Sequence, residues 1–175
     1  MVPVLLITGP VGVGKTAVLS EVADLLEAAG VPFAAVDLDD LSWCYPTPPG
    51  DDRFRSGLTL RNLAAVWRNF RDAGAERLVL ARVLESRDEL DRHRDAVPGA
   101  EITVVRLTAV HATLQERVER REIGLGRAWH SRRAVELARL MDERRVEDVL
   151  VRTDGRTVNE IARDVLRRSG WPGPA

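Results

Sequence analysis

Gly9-Pro10-Val11-Gly12-Val13-Gly14-Lys15-Thr16 follows the apolar run Val4-Leu5-Leu6-Ile7-Thr8 and opens a segment with helical spacing. The octet matches G-x-x-x-x-G-K-[ST], the phosphate-binding P-loop. Such a turn aims successive backbone N–H groups at one anion, which calls for residues that tolerate unusual φ/ψ and close approach. Gly9, Gly12 and Gly14 supply both. The helix opening near Gly14 adds unpaired N–H groups and its positive dipole end, with Val13 and Ala17 completing the cradle. Lys15 is expected to reach the β- and γ-phosphates of ATP, and the Thr16 hydroxyl to ligate Mg²⁺. Of the 26 lysines and arginines only Lys15 is a lysine. It stands where a planar guanidinium substitutes poorly for a compact ammonium.

The chain of 175 residues predicts one domain, able to bury roughly 70% of the surface its unfolded chain exposes. The single cysteine, Cys44, excludes an internal disulfide framework and a multi-cysteine metal site, which suits a reducing compartment. The first apolar run is short, lacks a basic segment before it and runs straight into the P-loop, so a cytoplasmic protein without a membrane segment is expected. A net charge of −1, with arginines interleaved among carboxylates as in Glu116-Arg117-Val118-Glu119-Arg120-Arg121, gives no broad basic footprint for duplex nucleic acid.

Val4 to Thr8 is apolar at nearly every position, the pattern of a central strand covered on both faces. Val18, Val22, Leu25, Leu26 and Ala29 fall at helical spacing until Gly30 and Pro32. A short strand, Phe33 to Val36, then delivers Asp37 and Asp39 to its C-terminal end, the edge where open α/β sheets bind ligands. Residues 40 to 57 form a long proline-rich loop, and Leu60, Leu63, Ala64, Trp67 and Phe70 mark the core stripe of the next helix. Further strands are expected over Leu78 to Leu84, Ile102 to Leu107 and Asp148 to Arg152. Capping boxes are read at Ser86 to Glu89 and Thr157 to Glu160. Between the last two strands, Leu114 and Val118 mark one helix and Ala134, Leu137, Ala138 and Met141 another, with Gly124-Leu125-Gly126 interrupting them. Strands alternating with helices imply a parallel sheet with helices on both faces.

These parts suit phosphoryl transfer, which depends on positioning and charge stabilisation. Asp39 is the candidate base for the acceptor hydroxyl and Asp37 the organiser of Mg²⁺ and its waters, although the two roles are interchangeable on sequence alone. Arg117 and Arg121 fit a lid over residues 121 to 133 that closes on the transferred group, hinged at Gly124 and Gly126. In the segment from 39 to 60, Trp43, Tyr45, Arg53 and Arg55 could hold an anionic or ring-containing acceptor. Glu85 reads equally as a Mg²⁺-organising acid or as a structural residue, and Arg82 is a charge inside an apolar run.

The chain resembles the small P-loop kinases related to nucleoside monophosphate kinases, including adenylyl-sulfate, shikimate and gluconate kinases and chloramphenicol phosphotransferase. The resemblance rests on Gly9 to Thr16, on Asp37-Leu38-Asp39, and on Leu114 to Arg121 leading into the lid. It implies a three-layer α/β fold with strand order 2-3-1-4-5, Mg-ATP as donor and a small-molecule acceptor. It also implies that Thr153-Asp154-Gly155-Arg156-Thr157 borders the adenine ring, with Arg156 in contact with the nucleotide. The chain departs from adenylyl-sulfate kinases at Asp40-Leu41-Ser42, where they carry an arginine. Two other readings use the same residues: a 5′-hydroxyl nucleotide or polynucleotide kinase, and a nucleotide-binding regulatory or resistance protein that transfers nothing.

Overall fold

A computed structural model describes residues 1–52, 54–121 and 127–173, the side chains of 119–132 excepted. Five parallel strands, β1 (Val2–Thr8), β2 (Phe33–Asp37), β3 (Arg77–Ala81), β4 (Ala100–Thr108) and β5 (Val149–Arg152), form one sheet in the order β2-β3-β1-β4-β5. Among the described residues six α-helices connect or follow them: α1 (Lys15–Ala28), α2 (Ser56–Asp72), α3 (Glu89–Ala96), α4 (His111–Arg121), α5 (Arg127–Arg144) and α6 (Val158–Ser169). The strand order is the one implied by the resemblance.

Alternation along β1 explains why that strand is apolar throughout. Leu5 and Ile7 pack with Val18, Val22 and Leu26 of α1 and Val165 of α6. Val4 and Leu6 pack on the other face with Leu63 and Trp67 of α2 and Leu90 of α3. Each neighbouring side chain thus enters a different core, and both faces exclude water. The same alternation carries through β2, where Ala34, Val36 and Leu38 join the α2–α3 core. Asp37 is therefore left facing α1.

Several boundaries differ from the sequence expectation. β3 ends at Ala81 rather than Leu84: Ala81 is in register with Asp37, the last residue of β2, and with Ile7, the last but one of β1. Arg82 N–H still donates to Ile7 O (3.1 Å), and Leu84 N–H to the Thr8 hydroxyl (2.8 Å). At Ser86 only half of the expected capping box forms. The Glu89 carboxylate accepts the N–H groups of Glu85 and Ser86, but the Ser86 hydroxyl turns to Asp88, and α3 begins at Glu89. The box at Thr157 and Glu160 forms in both directions. Trp67 is buried as expected, whereas Phe70 is 37% exposed at the end of its helix. Arg53, the Arg121 side chain and Gly124 to Gly126 lie outside the described residues, and with them most of the expected lid. Among the described residues no helix is long and apolar enough to cross a membrane.

Candidate functional site

The site forms where β1, β2 and β3 end. Past Thr8 the chain enters the glycine loop with φ of 146° at Gly9, 82° at Gly12 and 103° at Gly14. At Gly9 the reason is close approach: a Cβ would lie 2.5 Å from Leu107 O of β4. Val13 N–H closes the turn on Pro10 O (3.3 Å), and the buried Val13 side chain anchors it in the core. Gly14 is the N-cap of α1 and offers no side-chain cap, and no acidic residue sits in the first turn. The first-turn N–H groups of Lys15, Thr16 and Ala17 therefore have neither an intrahelical acceptor nor a capping side chain. Lys15 Nζ folds back along the loop and donates to Gly9 O (3.1 Å) and Pro10 O (3.2 Å).

Two carboxylates meet this loop from β2. The Thr16 hydroxyl donates to Asp37 Oδ2 (2.7 Å), and the other Asp37 oxygen accepts the Asp39 backbone N–H (3.1 Å). One carboxylate thus ties the P-loop helix to the segment carrying Asp39. Burial pushes the Asp39 carboxyl above its ordinary range, and the neighbouring Asp37 charge adds to this, while Lys15 and Arg82 pull the other way. A carboxylate of raised basicity beside a phosphate loop is suited to accept a proton from a hydroxyl.

This set fits a magnesium nucleotide. The uncapped α1 terminus and the glycine cradle suit phosphate oxygens, and Lys15 supplies a cation beside them. Thr16, backed by Asp37, offers the oxygen that Mg²⁺ takes from such loops. Among the described residues no cluster of three or more His, Cys, Asp or Glu could hold a metal.

Other candidates are placed differently. Arg117 donates to Val13 O (3.2 Å) and to the hydroxyl and carbonyl of buried Thr153 (3.0 and 3.4 Å), so it clamps the P-loop to the end of β5. Arg156 bonds to Arg152 O, Asp164 and Glu160 O, all within the β5–α6 corner. Trp43 and Tyr45 are 87% and 94% exposed and do not wall an enclosed pocket. Arg55 is the N-cap of α2 with φ 52°. The Glu85 carboxylate pairs with Arg133 of α5, and its carbonyl accepts Arg144 (3.1 Å), which gives it a structural task. Sequence reading missed the place of Arg82, which enters the site edge from β3 and donates to the Ser56 hydroxyl (2.8 Å). Its one signal was a charge in an apolar run. The grooves along Val135, Glu136 and Arg139, and beside Met1, Trp67 and Arg77, contain none of these residues.

No protein-family profile and no characterised protein sequence matches the chain. Solved structures do. The chain is similar to the tunicamycin resistance protein of Deinococcus radiodurans, with a TM-score of 0.69 and 16% identity over 100% of both chains. It is similar to a gluconokinase of Sinorhizobium meliloti 1021 (TM-score 0.62, 22% identity, 96% of this chain and 91% of that one). It is also similar to the APS kinase of Mycobacterium tuberculosis solved with AMPPNP and APS (TM-score 0.59, 23% identity, 95% and 96%). At these identities the likeness establishes the fold, which is that of the P-loop kinases.

Proposed function

We propose that the protein is a phosphotransferase that passes the γ-phosphoryl group of ATP to a hydroxyl of a small-molecule acceptor. The observation that carries this reading is the chain of contacts from Thr16 through Asp37 to Asp39, which brings a carboxylate of raised basicity beside the P-loop. The loop N–H groups and Lys15 hold the β- and γ-phosphates. Thr16 would hold Mg²⁺ together with the nucleotide, and the ion would supply charge neutralisation on the phosphates. Asp37 fixes the Thr16 hydroxyl and orients water around that position. Asp39 accepts the acceptor's proton as the hydroxyl oxygen attacks. Arg117 keeps the loop shut against β5, and Arg121 of the lid is assigned to the developing charge. Arg156 steadies the corner that would border the adenine. The kinase neighbours and the apolar-to-acidic edge support a small acceptor.

The experiment is ADP release from Mg-ATP with a panel of hydroxylated acceptors: sugar acids, nucleosides, adenylyl sulfate, antibiotics and 5′-hydroxyl oligonucleotides. One acceptor is expected to raise turnover above background, with Lys15→Ala and Asp39→Asn each removing the increase. Stimulation by oligonucleotides alone would move the reading to a 5′-hydroxyl kinase. The similarity to a tunicamycin resistance protein favours a second reading, a nucleotide-gated resistance protein. Tight ATP binding with no acceptor-dependent ADP would favour it.

A further inference from the structure

The P-loop rests on α4. At Gly12 a Cβ would lie 2.7 Å from Val118 Cγ2 and 3.2 Å from Leu114 O, so backbone of the loop touches that helix directly. From the same helix Arg117 Nη1 donates to Val13 O (3.2 Å) and to the Thr153 hydroxyl (3.0 Å). Val110 N–H, just before the helix, donates to the Asp154 carboxylate (3.1 Å). α4 is therefore tied to the end of β5 at residues 110 and 117, and through Arg117 this fixed helix also holds the loop.

The bond to Val13 O matters because of what shares its peptide plane. A peptide unit is planar and trans, so a carbonyl and the N–H of the next residue point to opposite sides. With Val13 O drawn to the guanidinium, the Gly14 N–H points away from it, and among the described residues no backbone oxygen accepts that N–H. The loop alone does not fix this plane. Val13 is pinned on its N-terminal side, by its N–H on Pro10 O (3.3 Å) and by its buried side chain. The residue that follows is a glycine, for which positive and negative φ are about equally accessible. Here its φ is 103°, and nothing lies within 4 Å of an added Cβ. Gly14 itself thus sets no steric barrier to turning the 13–14 peptide over, which would put a carbonyl where an N–H is needed for phosphate. A cation on Val13 O opposes that turn. It also polarises the peptide, which makes the N–H a stronger donor.

We infer that Arg117 is a positioning residue for the phosphate site: by holding Val13 O it directs the Gly14 N–H to the nucleotide phosphates and strengthens it as a donor. This rests on the reading of the loop as a nucleotide phosphate site. It gives Arg117 a task beneath the nucleotide, set before the nucleotide arrives, in place of the expected closure over the transferred group.

The test follows the Val13 ¹³C′ and Gly14 amide signals of the full chain, free and then titrated with Mg-AMPPNP and with inorganic tripolyphosphate, which carries no base. Arg117→Met should move both signals in the free protein and weaken both ligands about tenfold or more, the scale of one charge-assisted hydrogen bond. Arg117→Lys should restore part of each. Thr153→Val removes the hydroxyl partner but leaves the bond to Val13 O, so both signals and both affinities should stay near wild type. Unmoved Val13 and Gly14 signals in Arg117→Met overturn the inference. So does a loss confined to Mg-AMPPNP, which would set Arg117 against the base. Equal changes in Thr153→Val also overturn it and leave Arg117 as a strut between α4 and β5. If Arg117→Met folds poorly, Arg117→Lys against Thr153→Val makes the same comparison. Failure of the nucleotide reading is seen separately, because wild type would then bind neither ligand whatever the free variants show.

Discussion

Replacing Gly9 by alanine perturbs the joint on which the account turns. Two effects add. The backbone φ of 146° is one that side chains rarely adopt, which costs about 1–3 kcal/mol. The new Cβ would also lie 2.5 Å from Leu107 O and 2.9 Å from Val13 Cγ1. Leu107 O is backbone of β4, so relief requires the loop or the strand to shift, an overpacking term of about 1–3 kcal/mol. The sum is about 2–6 kcal/mol, a large part of the stability of an ordinary domain. Gly14→Ala is the control. Its φ of 103° carries strain, but nothing lies within 4 Å of the added Cβ, so only about 1–2 kcal/mol is expected. Urea unfolding followed by tryptophan fluorescence reads both, with Trp67 buried in the α2–α3 core as a reporter. A Gly9→Ala loss no larger than that of Gly14→Ala would refute the close-approach argument.

Arg106→Ala should lose about 3–5 kcal/mol in the same assay, because it strands the Glu147 carboxylate, 14% exposed, without its cation. Arg106→Met combined with Glu147→Leu should recover most of that loss, and a single variant as stable as wild type would contradict the pairing. The pKa of His93 is lowered by burial in the folded state, so the unfolded chain binds more protons below about pH 6.5. The stability contributed by neutral His93 is therefore complete above that value and falls as pH drops toward the lowered one. His93→Gln should flatten this part of the curve, and an unchanged slope would exclude His93 as its source. Asp51 is held below its ordinary value by the N–H groups of Gly57 and Leu58. Its contribution is present above about pH 4 and lost below, so Asp51→Ala should blunt the acid limb of the unfolding curve.

What was legible in the sequence was local. The apolar β1 run, the glycine octet and the Thr157–Glu160 box each declare themselves within a few residues, and each forms as read. Asp37 and Asp39 were placed correctly because a strand end fixes where its next residues go. Contacts that join distant segments were hidden. The α2 N-terminus is capped by Asp51, six and seven residues before its N–H partners Gly57 and Leu58. Arg117 carries the helical spacing of a lid residue, yet its partner Thr153 lies 36 residues away. Phe70 fits the apolar stripe of α2, yet it is 37% exposed near the end of that helix. Arg82 was visible only as an anomaly, since its place depends on Ala81, the residue before it, being in register with Asp37.

The central claim is that the Asp37–Asp39 edge and the P-loop together transfer phosphate. The most direct measurement incubates the protein with γ-labelled Mg-ATP and the small-molecule fraction of a bacterial extract, then follows the label by chromatography. Transfer to an organic acceptor, lost in both Lys15→Ala and Asp39→Asn while Asp39→Asn still binds Mg-AMPPNP, is the expected result. Label that remains in ATP, or appears only as inorganic phosphate, would contradict it.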